Sequence, residues 1–170
     1  MKIHAARPAH VRPLHMLIST FAGQGLLLQR SETDIRTHLG DFLVLMEGKT
    51  LAGCVSLDAY TSSLAEIRSL AVLPAFRGLG HGRRLLLRAL EEATRRKIVR
   101  VFAVTHAPEL FLHAGFILSR REEIPEKIAR DCRFCLKGRS CGLVTVTAKV
   151  LPETDAFPIF HGNGIAASPA

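Results

Sequence analysis

The sequence predicts one α+β domain, a mixed α/β sandwich in which helices pack on a sheet. The 170 residues suit a single core. Apolar residues recur with strand spacing in some segments and with helical spacing in others. Two strand-like runs flank Gly48 and Lys49, which predicts an antiparallel hairpin. We expect the domain to cover residues 1–151 and residues 152–170 to form a fraying tail rich in Gly, Pro and Ala.

The N-terminal half is expected to begin with an edge strand at residues 2–6. A helix follows, because apolar residues recur at helical spacing at Val11, Leu14, Leu17, Ile18 and Phe21. Ser31, with Asp34 three residues later, resembles a capping box and predicts the start of a second helix that ends at Gly40.

The next strand is predicted at residues 64–72, after the hairpin. Strict alternation places Glu66, Arg68 and Leu70 on one face and Ile67, Ser69 and Ala71 on the other. Beyond it, an apolar stripe predicts a helix through Leu86, Ala89, Leu90 and Ala93. We then expect a buried strand at residues 99–105, a helix from Pro108 to Gly115, a strand from Phe116, an irregular basic segment at 122–142 and a last strand at 143–151.

The net charge favours an anionic partner. Lys and Arg number 23 against 15 Asp and Glu, a formal charge of +8. Nucleic acid is disfavoured because the chain has no Trp and one Tyr, which leaves few stacking surfaces. A membrane span is not expected, since no apolar run approaches the roughly 20 residues needed. The N-terminus lacks an apolar region of signal-peptide length, so we expect a cytoplasmic protein.

A glycine-rich loop, "RGLGHG" at residues 77–82, lies between a predicted strand and a predicted helix. Amides at a helix start lack intrahelical partners, and glycines let the backbone approach a phosphate closely. Arg77, Arg83 and Arg84 add positive charge, so a pyrophosphate is the expected guest. The loop lacks the spacing of a dinucleotide fingerprint and of a P-loop. By itself it is also compatible with an ordinary helix-start turn.

The loop resembles the acetyl-CoA motif R/Q-x-x-G-x-G/A of the GCN5-related N-acetyltransferases (GNAT family). "ARPAHVRPLHMLI" and "ELFLHAGF" resemble further parts of that family, and together they cover most of residues 2–120. The resemblance implies a mostly antiparallel sheet flanked by helices, with two central strands splayed around the pantetheine arm of acetyl-CoA. The cofactor-binding residues that it implies are Leu70, Ala71, Val72, Arg77, Gly78, Leu79, Gly80, His81, Gly82 and Arg83.

Within that family the chain is most similar to N-acetylglutamate synthases that lack an amino-acid kinase domain. The similar segments are "GLLLQRS", "LAGCVSL", "LAEIRSLAV", "VFAVTHAPELF" and "DCRFC". The resemblance implies acetyl transfer to the α-amine of L-glutamate, the first step of arginine biosynthesis. The resemblance does not fix the oligomeric state, and a homodimer is one possibility.

Glutamate carries two carboxylates, and arginine recognises carboxylates through bidentate pairs. Arg30 and Arg68 are therefore candidate substrate ligands. Arg30 could instead be a solvated loop arginine, and Arg68 could simply pair with Glu66. Cys54 and Thr105 are further candidates for the substrate site, although an apolar buried cysteine is the commoner outcome for a residue such as Cys54.

Glu66 is the candidate general base, acting through a water, because an amine must lose a proton before it attacks the thioester. Its position resembles that of the base glutamate in the histone-acetylating branch of the family; pairing with Arg68 is the alternative. The N–H of Leu70 is the candidate oxyanion donor. Phe111 stands where many family members have a proton-donating tyrosine, which leaves Tyr60 and Thr105 as candidate donors.

Two other functions remain open. One is the same fold with another amine acceptor: a different amino acid, a protein N-terminus or an aminoglycoside. The other is a non-catalytic acyl-CoA-binding regulatory module. The spacing of Cys132, Cys135 and Cys141 is compatible with a metal clip, but no fourth ligand is evident, so we assign no metal.

Overall fold

The structure, a computed structural model, describes residues 1–135 and 141–150. In this part of the chain a seven-stranded sheet has the order β1-β2-β3-β4-β5-β7-β6. β4 and β5 pair in parallel, and the other neighbours are antiparallel. The mixed, mostly antiparallel sheet is therefore confirmed. The strands are β1 (Lys2–Ala5), β2 (Phe42–Glu47), β3 (Thr50–Ala59), β4 (Leu64–Val72), β5 (Arg100–Thr105), β6 (Ile117–Ser119) and β7 (Val144–Lys149).

Helices cover both faces of the sheet. They are α1 (Val11–Gly23), α2 (Glu32–Thr37), α3 (His81–Arg95), α4 (Pro108–Leu112) and α5 (Pro125–Arg130). The apolar stripe of α1 packs with Ile35 of α2 against Phe42 and Val44 of the sheet. On the opposite face, Leu85 and Leu86 of α3 form the larger core cluster with β3, β4 and β5. Among the described residues, no helix combines the length and apolarity that crossing a bilayer requires.

The start of α2 follows the prediction, but its end does not. The Ser31 hydroxyl accepts a hydrogen bond from the Asp34 amide at 3.1 Å, which confirms the N-cap. The helix ends at Thr37 rather than at Gly40, because residues 39–41 tighten into a 3-10 turn that leads into β2.

The alternation predicted for β4 is wrong beyond Arg68. Arg68 pairs with Ser56 and Ala71 pairs with Cys54, so Ser69 and Leu70 together lie opposite a single residue of β3. Ser69 has a φ of 50°, in the left-handed region. Such a bulge adds one residue and exchanges the faces of everything after it. Leu70 consequently packs with the α3 cluster and Ala71 with the α1 cluster, while Glu66 and Arg68 keep the face predicted for them.

β4 and β5 separate halfway along their length. Pairing between them is limited to residues 64–66 with residues 100–102, whereas β5 continues alongside β7 as far as Thr105. Beyond Glu66 the sheet therefore opens between two adjacent strands. The splayed central strands expected from the family resemblance are confirmed.

The segment predicted to be irregular contains α5. Pro125 occupies its first turn, where the missing amide hydrogen is no loss, and Lys127 is buried against the sheet. The strand expected from Phe116 begins instead at Ile117, because Phe116 packs edge-to-face on Phe111 in the core. The predicted tail at 152–170 lies outside the described residues.

Candidate active site

A cavity of about 410 Å³ lies where β4 and β5 diverge. Its walls come from both strands, from the segment that follows α1, from the start of α3 and from the region around α5. Apolar side chains line one part, and charged side chains line another. The charged residues are Arg30, Glu66, Arg68, Arg77, Arg121, Lys127 and Asp131.

The glycine loop brings the N-terminus of α3 to one end of this cavity. Gly78 and Gly80 have φ angles of 77° and 73°, which residues with a Cβ rarely adopt. The first helical hydrogen bond of α3 runs from the Arg84 amide to the Gly80 carbonyl at 3.0 Å. The amides of residues 81–83 precede this bond, so they have the arrangement that binds anions at a helix start.

The backbone of β4 continues from this loop along the opening. The Leu73 amide donates to Ala52 of β3 at 2.8 Å. Because backbone groups of alternate residues point to opposite neighbours, those of Leu70 and Val72 point away from β3, toward the gap. The Val72 carbonyl accepts a hydrogen bond from Nε of Arg77 at 3.1 Å, in agreement with this direction. The edge can thus hydrogen-bond an extended amide chain such as pantetheine.

The residues expected to bind the cofactor fall into two groups. The cavity is lined by Leu70, Ala71, Val72, Arg77 and Gly82. The others form the loop and the helix start beside it: Gly78, Leu79, Gly80, His81 and Arg83. The Leu79 side chain is 66% exposed and points to solvent. His81 is buried at the first position of α3, and its Nε2 atom has no hydrogen-bond partner among the described residues.

A cluster of charged side chains lies on the α1 face of the sheet. Ser56 is opposite Arg68 and Asp58 is opposite Glu66 on neighbouring strands, so the four side chains share one face. Ser56, Asp58 and Glu66 are almost completely buried. Buried charges require partners, and α5 contributes one of them, Lys127.

Glu66 lies at the centre of this cluster and is 3% exposed. Its Oε2 atom accepts hydrogen bonds from Nζ of Lys127 at 2.9 Å and from the Tyr60 hydroxyl at 2.8 Å. Nε of Arg68 is 3.7 Å away, so the pairing of Glu66 with Arg68 considered from the sequence is also present. Lys127 further donates to Asp131 at 2.6 Å.

Burial and neighbouring charges shift the pKa values of Tyr60 and Asp131 in this cluster. Burial and the adjacent carboxylates of Glu66 and Asp131 raise the pKa of Tyr60, which therefore stays protonated and can donate. Burial acts to raise the pKa of Asp131. The hydrogen bonds from Lys127 and Tyr60 and the charges of Lys127 and Arg68 outweigh that effect and hold the pKa below its usual value.

Arg30 is a buried member of the cluster, so its interpretation as a solvated loop residue is wrong. Nη1 lies 3.2 Å from Asp58 and 3.3 Å from the Ser56 hydroxyl, and Nε pairs with Asp34. The guanidinium also lies over the Phe42 ring, 4.9 Å from its centroid. Arg30 reaches the cavity wall, but internal carboxylates already bind it.

The position of Cys54 does not support a substrate contact. Its side chain is completely buried in the α1 cluster, away from the cavity, and the thiol donates to the Ser69 carbonyl at 3.1 Å. Burial raises the pKa of this thiol to about 12. Thr105 does line the cavity, and its hydroxyl accepts a hydrogen bond from the Ala107 amide at 3.0 Å. Tyr60 lies behind Glu66 rather than at the cavity surface.

Sequence reasoning missed three charged residues of the cavity: Arg121, Lys127 and Asp131. Lys127 and Asp131 lie in the segment predicted to be irregular, where only Pro125 signalled a helix start, and Arg121 directly precedes that segment. Cys132, Cys135 and Cys141 also line the cavity. Within residues 1–135 and 141–150, no three His, Cys, Asp or Glu side chains are grouped closely enough to hold a metal ion.

Comparison with known proteins places the chain in a family. Residues 12–116 match the acetyltransferase (GNAT) family. An uncharacterized N-acetyltransferase of Chlorobaculum tepidum is 36% identical over 139 residues, which cover 82% of this chain and 90% of the relative. An amino-acid acetyltransferase of Neisseria meningitidis is 32% identical over 78% of this chain, but the match spans only 31% of that longer protein.

Similarity to a solved structure supports the same family assignment. The N-acetylglutamate synthase of Neisseria gonorrhoeae, complexed with coenzyme A and N-acetyl-glutamate, superimposes with a TM-score of 0.80 at 28% identity. The superposition covers 88% of this chain and 35% of the synthase. Together with the splayed strands and the glycine loop, these matches establish that the chain belongs to the GNAT family of acetyltransferases.

Proposed function

We propose that this protein transfers the acetyl group of acetyl-CoA to the α-amine of an acidic amino acid, with L-glutamate as the expected acceptor. As a GNAT member the chain is an acetyl-CoA-dependent N-acetyltransferase; the acceptor is the proposed part. The role that follows is the first step of arginine biosynthesis, in the cytoplasm. The acetyltransferase domain is taken to comprise residues 1–151.

One observation carries the proposal: a single cavity extends from the start of α3 to the charged cluster around Glu66. The anion-binding loop and the gap-facing backbone of Leu70 and Val72 suit the donor. The buried charges suit a polar acceptor at the other end. A small charged amine fits a cavity of about 410 Å³ better than a protein N-terminus, which needs an extended groove.

The donor fits the residues present, as judged by the left-handed glycines and by the backbone edge of β4. When bound, acetyl-CoA supplies a thioester carbonyl that an amine can attack. The Leu70 N–H, directed into the gap, would donate to the oxygen that becomes negative during attack. Residues 77–83 would hold the pyrophosphate through backbone amides and Arg77.

Glu66 would accept the proton of the acceptor ammonium, directly or through one water. The contacts among the described residues all engage its Oε2 atom, so Oε1 is available for that transfer. Arg68, which is partly exposed at the cavity wall, would orient a substrate carboxylate. Arg30 would act through the cluster, since Asp34 and Asp58 bind its guanidinium.

The similarity to Neisseria proteins named amino-acid acetyltransferase and N-acetylglutamate synthase supports glutamate over an aminoglycoside. This chain matches only about a third of their length, 31% and 35% respectively. The similarity therefore supports glutamate as the proposed acceptor and does not establish the activity of the whole relatives for this chain.

The test is an acceptor panel with purified protein and acetyl-CoA, in which CoA release and the mass of the acetylated product are both measured. We expect L-glutamate to give the highest kcat/KM among amino acids, peptides with free N-termini and aminoglycosides. Turnover of another acceptor class above glutamate would reject the acceptor assignment. Binding of acetyl-CoA with no turnover of any amine would favour the regulatory module instead. Growth of an arginine auxotroph lacking the synthase tests the cellular role.

A further inference from the structure

The charges of the central cluster already balance one another. Arg30, Arg68 and Lys127 face Asp58, Glu66 and Asp131, and every cation of this set lies within 4 Å of at least one of these carboxylates. An acidic substrate that entered this arrangement would add negative charge without a matching cation. The acceptor proposed above therefore needs another positive group at the cavity wall.

Arg121 supplies such a group. It begins the 3-10 turn (Arg121–Glu123) that follows β6, and it lines the same cavity. Its Nη2 atom donates to the Leu143 carbonyl and contacts Sγ of Cys141, both at 3.3 Å. Its Nε atom is buried and has no hydrogen-bond partner among the described residues. In that part of the chain no Asp or Glu lies within ion-pair distance of Arg121, unlike Arg30 and Arg68.

We propose that Arg121 binds a carboxylate of the acceptor and thereby sets the preference for acidic amino acids. This inference rests on the proposed function and names a residue of that same site. A buried N–H without an acceptor is unfavourable, and a carboxylate oxygen would satisfy it. The contacts with Leu143 and Cys141 hold one end of the guanidinium in place, so its remaining N–H groups are oriented before the substrate arrives.

The test compares Arg121→Gln with Arg120→Gln. The neighbouring Arg120 is 82% exposed and does not line the cavity, so the control removes the same charge from the adjacent position. We expect R121Q to raise the KM for glutamate roughly 10- to 100-fold, as for a lost charge-assisted hydrogen bond, with a much smaller change in kcat. R120Q should keep the KM of the unmodified protein within about threefold, because an exposed ion pair contributes little.

Glutamine, used as a second acceptor, shows which of the two carboxylates of glutamate Arg121 binds. If Arg121 binds the side-chain carboxylate, R121Q raises the KM for glutamate and leaves that for glutamine unchanged. If it binds the α-carboxylate, both KM values rise together. The first result supports the proposal. A parallel rise of both KM values shows that Arg121 does not set the preference for acidic amino acids, and an unchanged KM for glutamate in R121Q overturns the proposal altogether.

A fold defect is separated from a binding defect by two further measurements. Calorimetric titration of coenzyme A should give the same affinity for R121Q as for the unmodified protein, and N-acetyl-L-glutamate should bind R121Q more weakly. Arg121→Lys, which keeps the charge but loses the planar fork, should recover part of the KM. If N-acetyl-L-glutamate binds equally well without Arg121, the proposal is wrong. If the unmodified protein acetylates no acidic amino acid, the proposed function itself fails.

Discussion

Nζ of Lys127 in α5 lies 2.9 Å from Oε2 of Glu66 in β4, although the two residues are 61 positions apart in the chain. Both side chains are almost completely buried. The ammonium balances a carboxylate that burial alone would penalise strongly. This long-range pair attaches α5 to the sheet at the charged end of the cavity, and it connects the stability of the domain to the residue proposed as general base.

The role of Glu66 as base is tested by Glu66→Gln. We expect kcat to fall by roughly 10²- to 10⁴-fold, the usual range for a lost general base, with acetyl-CoA affinity unchanged. Steady-state kinetics and calorimetry measure the two quantities. Glu91→Gln, on the exposed side of α3, is the matched control and should retain full turnover. Normal turnover in E66Q would remove Glu66 from the base role.

The Lys127–Glu66 pair is expected to contribute to the free energy of unfolding. Lys127→Met leaves buried carboxylates without their ammonium and should lower the free energy of unfolding by about 3–5 kcal/mol. Combining it with Glu66→Gln should destabilise the fold by less than the sum of the single changes, since the unpaired charge is then absent. Urea denaturation of the four proteins completes the cycle, and strictly additive effects would contradict a direct interaction.

Asp131 predicts a stability difference that depends on pH. Its pKa in the folded state lies below the usual 3.8, so the folded state prefers its ionised form. That contribution is fully present above the unfolded-state pKa and is lost as the pH falls through the folded-state pKa. Relative to Asp131→Asn, the native protein should therefore be more stable at pH 7, and the gap should shrink below about pH 4. Denaturant titrations at pH 7, 5, 4 and 3 measure it; a gap that widens in acid would refute the assignment.

The glycine loop predicts coupled losses of stability and cofactor affinity. Gly80→Ala places a Cβ at a φ of 73°, and the left-handed conformation should cost about 1–2 kcal/mol. The same strain should tilt the start of α3 and weaken coenzyme A binding. Gly40→Ala is the control, because Gly40 has open space around it and no positive φ. Thermal unfolding and calorimetry with coenzyme A measure both effects, and equal behaviour of the two variants would argue against the loop geometry.

A substitution at Gly53 of β3 should have a purely structural effect, at the point where β3 approaches β4. A Cβ at this position would lie 2.7 Å from the Ala71 carbonyl, closer than packed atoms allow. Gly53→Ala should push β3 away from β4 and destabilise the protein by about 1–3 kcal/mol. Thermal unfolding measures the loss. A variant as stable as the native protein would mean that the two strands can separate without penalty at this point.

Through the family resemblance the sequence indicated the mixed sheet. Its local patterns by themselves determined the order of the elements outside α5 and the loop that begins α3. These features depend on local periodicity, on a cap at Ser31 and on glycines at 78 and 80, all of which act over a few residues. Glu66 and Arg68 could also be placed on a common face, because alternation holds up to the bulge.

Only the tertiary structure decided which partners those charges have. The bulge at Ser69 arises from pairing with β3 and moved Leu70 to the other face, which no local pattern indicated. Lys127, Asp131 and Arg121 reach the cavity from a segment without clear periodicity, so their role depends on where the chain returns to the sheet. The tertiary structure also decided between the two interpretations of Cys54, because its burial depends on contacts between residues distant in sequence. Packing and ion pairing bring such residues together, and the spacing of residues along the sequence does not indicate which of them will be in contact.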